Sequence, residues 1–343
     1  MAKQSIASHR KDEHYFLAEK FYAETSQSGL DDVRFIRSAL PESQINAVDM
    51  RPGIFGWQTP ILINAMTGGS QTTGKINAAL ARIAKQLNLP MASGSASVAL
   101  KEPVIRDSFT VIRDENPDGF VLANIGVDKT PADVQFVVDL LRADMLQVHL
   151  NAVQEMVMPE GDRAFQWREN LRAIIAASPV PVMVKEVGFG MRQDDFDVLT
   201  KAGAAAIDVG GRGGTNFAKI ENARRHDADY QDLFTFGQTT AESLLEGQDA
   251  TLPLIATGGI RTPMDAVKAL RLGADAVGIA GLILHWLTKT DEQTTLHNLD
   301  AFLTEMRGIV ALLGCHNLAE LRQVPIITNH LATYATQRGL KQP

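Results

Sequence analysis

Four polar side chains follow one apolar run. After Met145 to Val148 come His149, Asn151, Gln154 and Glu155. If that run is a strand, His149 and Asn151 share a face, because side chains two apart point the same way. Gln154 and Glu155 then fall in the loop just beyond. An imidazole, two amides and a carboxylate at one strand end suit a polar or metal-bound ligand. Later in the chain, Thr257-Gly258-Gly259-Ile260-Arg261 and Ile279-Ala280-Gly281 offer a second chemistry. Glycines let backbone N–H groups approach a phosphate, and Arg261 adds a bidentate cation. Lys185 ends another apolar run, Val180 to Val184. There a lysine can form a Schiff base, pair with an anion or reach solvent. Next to a phosphate site, such a cation suits a flavin, because it stabilises negative charge on the reduced ring. Arg10-Lys11-Asp12-Glu13-His14 is the last cluster. Runs of this kind are commonly solvated helix faces; the sharper reading is a clamp on a second phosphate group.

These residues need a frame that brings distant segments together. Candidate strands are Ile61–Met66, Met91–Ser95, Gly119–Ile125, Met145–Asn151, Val180–Val187, Ala205–Gly211, Pro253–Ile260 and Ala276–Gly281. Amphipathic stretches alternate with them: Lys75–Leu87, Val104–Arg113, Ala132–Leu141, Arg163–Ala176, Asp194–Ala202 and Met264–Leu272. Strands apolar on both faces and alternating with helices predict a parallel sheet covered by helices. Eight repeats predict an α/β fold of the (β/α)8 TIM-barrel type, with the site at the C-terminal strand ends. A doubly wound sheet is the rival, but Ala65-Met66-Thr67-Gly68-Gly69 lacks its G-x-G-x-x-G turn. Residues 1–60 read as an N-terminal extension contributing to the active site, with one helix over Tyr15–Tyr22. Residues 61–343 read as the barrel with extra C-terminal helices, including Leu296–Leu313. The long gap after Gly211 reads as an enlarged loop, Gly211–Asp232, that closes over the site. Strand ends also supply Asn64, Thr67, Ser93, Ser95, Ser97, Asn124 and Asp208. Singly these are ordinary turn residues; around one rim they favour a ligand.

The bulk composition narrows the class. Net charge is −7 without blocks of like charge, which argues against a broad nucleic-acid surface. Cys315 is the only cysteine, so no intrachain disulfide forms, as in a reducing compartment. The first residues hold no apolar signal core. Ala276 to Leu287 is too short and glycine-rich to span a bilayer. The chain reads as cytoplasmic, with no membrane partner.

Taken in order, Arg10-Lys11-Asp12-Glu13-His14, Asn64-Ala65-Met66-Thr67-Gly68-Gly69, His149-Leu150-Asn151 with Gln154-Glu155, Met158-Pro159-Glu160-Gly161, Val184-Lys185-Glu186-Val187-Gly188-Phe189-Gly190, Gly213-Gly214-Thr215 and Thr257-Gly258-Gly259 resemble the type 2 isopentenyl-diphosphate isomerase family. The resemblance implies a (β/α)8 barrel that binds FMN. It places FMN against Ala65, Met66, Thr67, Ser95, Asn124, Lys185, Thr215, Gly258, Gly259, Arg261, Ala280 and Gly281. It places the substrate diphosphate on Arg10, Lys11, Asn151 and Gln154, with Glu155 holding Mg²⁺. His14, His149 and Gln154 are the implied catalytic side chains. Gly210 departs from the family, which often has serine there.

The implied reaction shifts a double bond in a five-carbon diphosphate within isoprenoid biosynthesis. Reduced FMN would serve as acid and base, and NADPH as reductant. The resemblance also implies a homo-oligomer, a tetramer or octamer. Two rivals share these features: an FMN-dependent oxidoreductase of the 2-hydroxyacid-oxidising type, and a barrel that merely binds a phosphorylated ligand.

Overall fold

Ser70, Thr130, Thr239 and Thr262 each open a helix by accepting a hydrogen bond from the backbone N–H three residues on, and the side chain at that third position bonds back. Such reciprocal caps satisfy N–H groups that a helix leaves unpaired. In a computed structural model of the chain, which describes residues 6–23 and 26–343, they punctuate a regular alternation of strand and helix. In chain order come α1 (Ile6–Lys20), β1 (Arg34–Phe35), β2 (Ile61–Ile63), α2 (Gln71–Leu87) and β3 (Met91–Ser95). Then come α3 (Ser97–Lys101), α4 (Asp107–Glu115), β4 (Val121–Gly126), α5 (Pro131–Leu141), β5 (Met145–Leu150), α6 (Ala152–Val157) and α7 (Arg168–Ala177). They are followed by β6 (Val182–Glu186), α8 (Gln193–Ala202), β7 (Ala206–Asp208), α9 (Phe217–Arg224), α10 (Thr240–Glu246), β8 (Leu254–Thr257) and α11 (Pro263–Arg271). The chain ends with β9 (Ala276–Ile279), α12 (Gly281–Lys289), α13 (Glu292–Leu312), α14 (Leu318–Leu321), β10 (Ile326–Ile327) and α15 (His330–Arg338).

Strands β2 to β9 pair in parallel, each with the next, and β9 closes on β2 through Ile61↔Val277 and Ile63↔Ile279. The expected eight-stranded barrel is therefore the fold. Its strands are shorter than the apolar runs predict, because the chain leaves the ladder for glycine turns and loops before hydrophobicity ends. The stretch after Gly211 is not an open loop. It contains α9, a 3₁₀ turn at Gln231–Thr235 and α10.

Two apolar layers hold the barrel. One lies between strands and helices, where Ile63, Ile83, Ile112, Val137, Val184 and Leu270 are buried. Leu30, Val33, Val48 and Met50 of the N-terminal segment join that same layer. The other fills the barrel's N-terminal end with Leu62, Ala92, Leu122, Met145, Met183 and Ile255. Trp57 is packed into this layer, edge-on to Phe120 at 5.7 Å, with Phe55 against both rings. The segment before β2 thus stoppers one end of the barrel.

The N-terminal segment is also tied to the C-terminal helices. Short β1 pairs antiparallel with β10, an element the strand pattern missed because two residues carry no periodicity. Asp32 accepts N–H bonds from Asn329, His330 and Leu331 at the start of α15. Among the described residues no helix is long and apolar enough to cross a membrane.

Trp57 is 4% exposed. Trp57→Ala is expected to cost ~3–5 kcal/mol from lost burial and a residual cavity. Chemical denaturation would read this as a lower midpoint.

Candidate active site

The C-terminal strand ends open into a cavity of about 510 Å³, within the range of small-molecule sites. Every residue that the sequence and the resemblance marked for catalysis, substrate, cofactor or metal lines it, from Arg10 on α1 to Gly281 on α12. Asn64, Ser93 and Asp208 do not reach the lining; they are buried beneath it at 2%, 0% and 0% exposure.

One pole is built for phosphate. A Cβ on Gly281 would sit 3.3 Å from Thr215 Oγ1 and 3.9 Å from Arg261 NH1, so a hydroxyl and a guanidinium converge on the space that this glycine leaves. Gly281 is also the first residue of α12, where unpaired N–H groups favour an anion. Arg261 is fixed by Nε donating to the Ala23 carbonyl at 3.0 Å and by lying over the Tyr22 ring at 4.7 Å. These residues fit the phosphate of a mononucleotide flavin. Toward the barrel axis the cavity is lined by Lys185 and Asn124, with Ser95 and the Ala65–Thr67 turn. The turn is held by Gly94 N–H donating to Thr67 O at 2.8 Å. Lys185 Nζ donates to Asp208 Oδ2 at 3.0 Å, which fixes its cation at the cavity floor.

Gly210, where the resemblance expects serine, has φ of +47°, and a Cβ there would meet the Glu186 carbonyl oxygen at 1.8 Å. The local backbone admits only glycine.

The second pole is also cationic. Helix α1 lies across the mouth, braced by Asp12 on Ser70 (2.5 Å), Glu13 on Arg224 (3.0 Å) and Glu19 on His285 (2.9 Å). This orients Arg10, Lys11 and His14 inward, rather than as a solvated face. Lys11 Nζ donates to Ser95 O at 3.2 Å, and burial with the neighbouring Arg10 charge lowers its pKa to about 8. Arg10 donates to Glu160 at 3.0 Å, and Arg224 donates to the same oxygen.

His149 and Asn151 share the cavity face, as the strand reading requires. Burial, reinforced by the fields of Lys11, Lys129 and Lys185, pushes His149 down to about 3, so the ring is neutral. Gln154 and Glu155 are in the first turn of α6 and not in a loop. That helix lets Asn151 Nδ2 donate to Glu155 Oε1 at 2.9 Å, while Glu155 Oε2 accepts from Asp162 N–H at 2.8 Å. Among the described residues no three His, Cys, Asp or Glu side chains converge on a metal.

Glu221, fully buried on α9, is the residue the sequence reading missed. It accepts from Gln154 Nε2 at 2.8 Å, lies 2.9 Å from His14 Nε2 and pairs with Arg224. Burial opposes its charge, but these partners outweigh that and take it down to about 2. The available signal was helical: Phe217, Glu221 and Arg224 recur at one-turn spacing inside the supposed loop. Lys101, Asp128 and Lys129 also line the cavity and carried no motif.

Residues 124–328 match the model of the FMN-dependent dehydrogenases. An isopentenyl-diphosphate delta-isomerase of Lacticaseibacillus casei is 51% identical over 339 residues, covering 98% of both chains. One of Nocardia farcinica is 45% identical over 98% of this chain and 94% of its own. Among solved structures, flavocytochrome b2 superposes with TM-score 0.68 at 18% identity, covering 92% of this chain and 82% of that one. A mandelate oxidase gives 0.62 at 18%, covering 92% and 90%. At that identity the two structures share the barrel alone. The full-length relatives and the flavin-binding model together place this chain in the family of FMN-dependent type 2 isopentenyl-diphosphate delta-isomerases.

Proposed function

We propose that this chain interconverts isopentenyl and dimethylallyl diphosphate by a 1,3-allylic proton shift, in isoprenoid biosynthesis. The observation that carries the reading is the presence of two separate anion-binding poles in one cavity. Thr215, Arg261 and Gly281 form one pole; Arg10, Lys11, Asn151 and Gln154 surround the other.

An alkene is a weak base and needs a strong, well-placed acid. Glu221 is held ionised, His149 is neutral, and burial lowers the His14 pKa against the pull of Glu221. Burial raises Glu186 to about 8, yet its Oε2 accepts from Phe189 and Gly190 N–H and it does not line the cavity. These states favour the reading, implied by the family resemblance, in which the cofactor rather than these side chains provides the acid and base. FMN, when bound and reduced by a nicotinamide such as NADPH, supplies them at its ring nitrogens beside an electron-rich face.

The chain's own side chains bind, orient and shield. Lys185 places positive charge at the cavity floor, where a reduced ring accumulates negative charge. Gln154, with its amide oriented by Glu221, faces the reacting carbons and positions them. Arg10 and Lys11 on α1 neutralise the diphosphate and cover it from water. Glu155 would hold Mg²⁺ together with the diphosphate; this ion commonly binds through one or two carboxylates plus substrate phosphates. This reading includes a soluble, cytoplasmic homo-oligomer whose small-molecule partner is the diphosphate.

The deciding experiment is anaerobic turnover of isopentenyl diphosphate with Mg²⁺, comparing dithionite-reduced with oxidised FMN. Dimethylallyl diphosphate is expected only with reduced flavin and without net flavin oxidation. Flavin-loaded protein that gives no isomer but is reduced by 2-hydroxyacids would establish the oxidoreductase instead.

Two further outcomes follow from the site. Glu155→Gln should raise the Mg²⁺ concentration for half-maximal rate by more than ~10-fold, with flavin absorbance unchanged. Lys11 binds phosphate as the ammonium, present below its pKa of about 8 and lost above it. A plot of kcat/KM against pH, which reports the free enzyme, should therefore fall on the alkaline side near that value. Lys11→Arg should move this limb to higher pH; a limb that stays in place would remove Lys11 from substrate binding.

A further inference from the structure

Beneath the cavity a line of buried amides runs across the barrel floor. It starts at Asp208 on β7, whose Oδ2 accepts from Asn64 Nδ2 at 2.6 Å. Asn64 Oδ1 accepts from Gln147 Nε2 at 3.0 Å, Gln147 Oε1 from Asn124 Nδ2 at 2.7 Å, and Asn124 Oδ1 lies 2.9 Å from His149 Nδ1. Asn64, Asn124 and Gln147 are 2%, 3% and 0% exposed, so water does not compete for these bonds.

The direction of the line is fixed from one end. An ion-paired carboxylate only accepts, so Asn64 must present its NH₂ to Asp208 and its carbonyl to the next residue. The backbone fixes the same orientation independently, because Ala65 N–H donates to Asn64 Oδ1 at 2.8 Å. With Asn64 set, Gln147 must donate to it and therefore accept from Asn124. Asn124 then turns its carbonyl toward the imidazole. Strand register supports this order: Asn124 pairs with Gln147, and Gly126 with His149, across β4 and β5.

We propose that Asn64, Gln147 and Asn124 act as positioning residues that hold His149 in the Nδ1–H tautomer, leaving its Nε2 lone pair directed at the ligand. A neutral imidazole has one N–H, and Asn124 takes it. The ligand atom opposite Nε2 must then be a hydrogen-bond donor: a water, a hydroxyl, or a phosphate oxygen that keeps its proton. An uncharged oxygen acceptor or a fully ionised phosphate oxygen would be repelled. Its identity as a diphosphate oxygen rests on the proposed function; the tautomer does not.

Long-range ¹H–¹⁵N correlation on flavin-loaded protein with ¹⁵N-labelled imidazoles tests this near neutral pH, the His149 signals being identified by their loss in His149→Gln. The proton is expected on Nδ1 alone in the unsubstituted protein. Gln147→Met, which cuts the line while sparing both ends, should give averaged shifts from a mixture of tautomers and raise KM for isopentenyl diphosphate more than it lowers kcat. Asn124→Asp keeps an acceptor facing Nδ1 and should retain the Nδ1 proton. A proton found on Nε2 in the unsubstituted protein overturns the proposal, even if Gln147→Met fails to fold. So does a Gln147→Met protein that folds, binds FMN and keeps the single Nδ1–H tautomer. If the protein does not isomerise the diphosphate but shows the tautomer, the functional reading fails and this inference stands.

Discussion

The structure turns on one buried carboxylate. Asp208 is fully buried, and taking its charge out of water carries a desolvation cost that a single ion pair does not reliably offset. Four donors meet it: Lys185 Nζ at 3.0 Å, Asn64 Nδ2 at 2.6 Å and Thr257 Oγ1 at 3.1 Å on one oxygen, and Gly210 N–H at 3.1 Å on the other. These donors come from the ends of β6 and β8 and the turns after β2 and β7. One charge thereby sets the Lys185 cation, the orientation of Asn64 and the turn at Gly210. The cavity floor is rigid because its members share this acceptor.

Above that floor the site is a balance of close charges. Burial first, and then the fields of Lys11, Lys129 and Lys185, keep His149 neutral, while Glu160, Glu221 and Glu13 hold Arg224 and α1 in place. Without a ligand the cations carry a mutual repulsion that a polyanion relieves. The acidic residues keep that repulsion from opening α1. Glu13 and Glu221 thus support the helices, while Arg10, Lys11, Lys129 and Lys185 face the cavity beside Glu155 and Glu160.

Much of this was legible before the structure. The barrel followed from eight apolar runs at regular spacing, since strand burial on both faces writes itself into composition. The shared face of His149 and Asn151 followed from a period of two. What stayed hidden has a common cause. Glu221 meets Gln154, 67 residues away, and Asp208 meets Asn64, 144 residues away, so neither pairing leaves a local pattern. Placing Gln154 and Glu155 in a loop failed because α6 is only six residues long, too short to show periodicity. The helical N-terminus at Gln71 was misplaced for another reason: the cap lies in Ser70 and Thr73, ahead of the apolar residues that betray the helix.

The stopper of Trp57, Phe55 and Phe120 has a consequence for the order of events. A barrel closed at one end works as a blind well. Whatever occupies its floor arrives first and leaves last, and whatever sits under α1 must depart before it. With the flavin on the floor and the diphosphate under α1, as proposed, flavin exchange would be gated by product release.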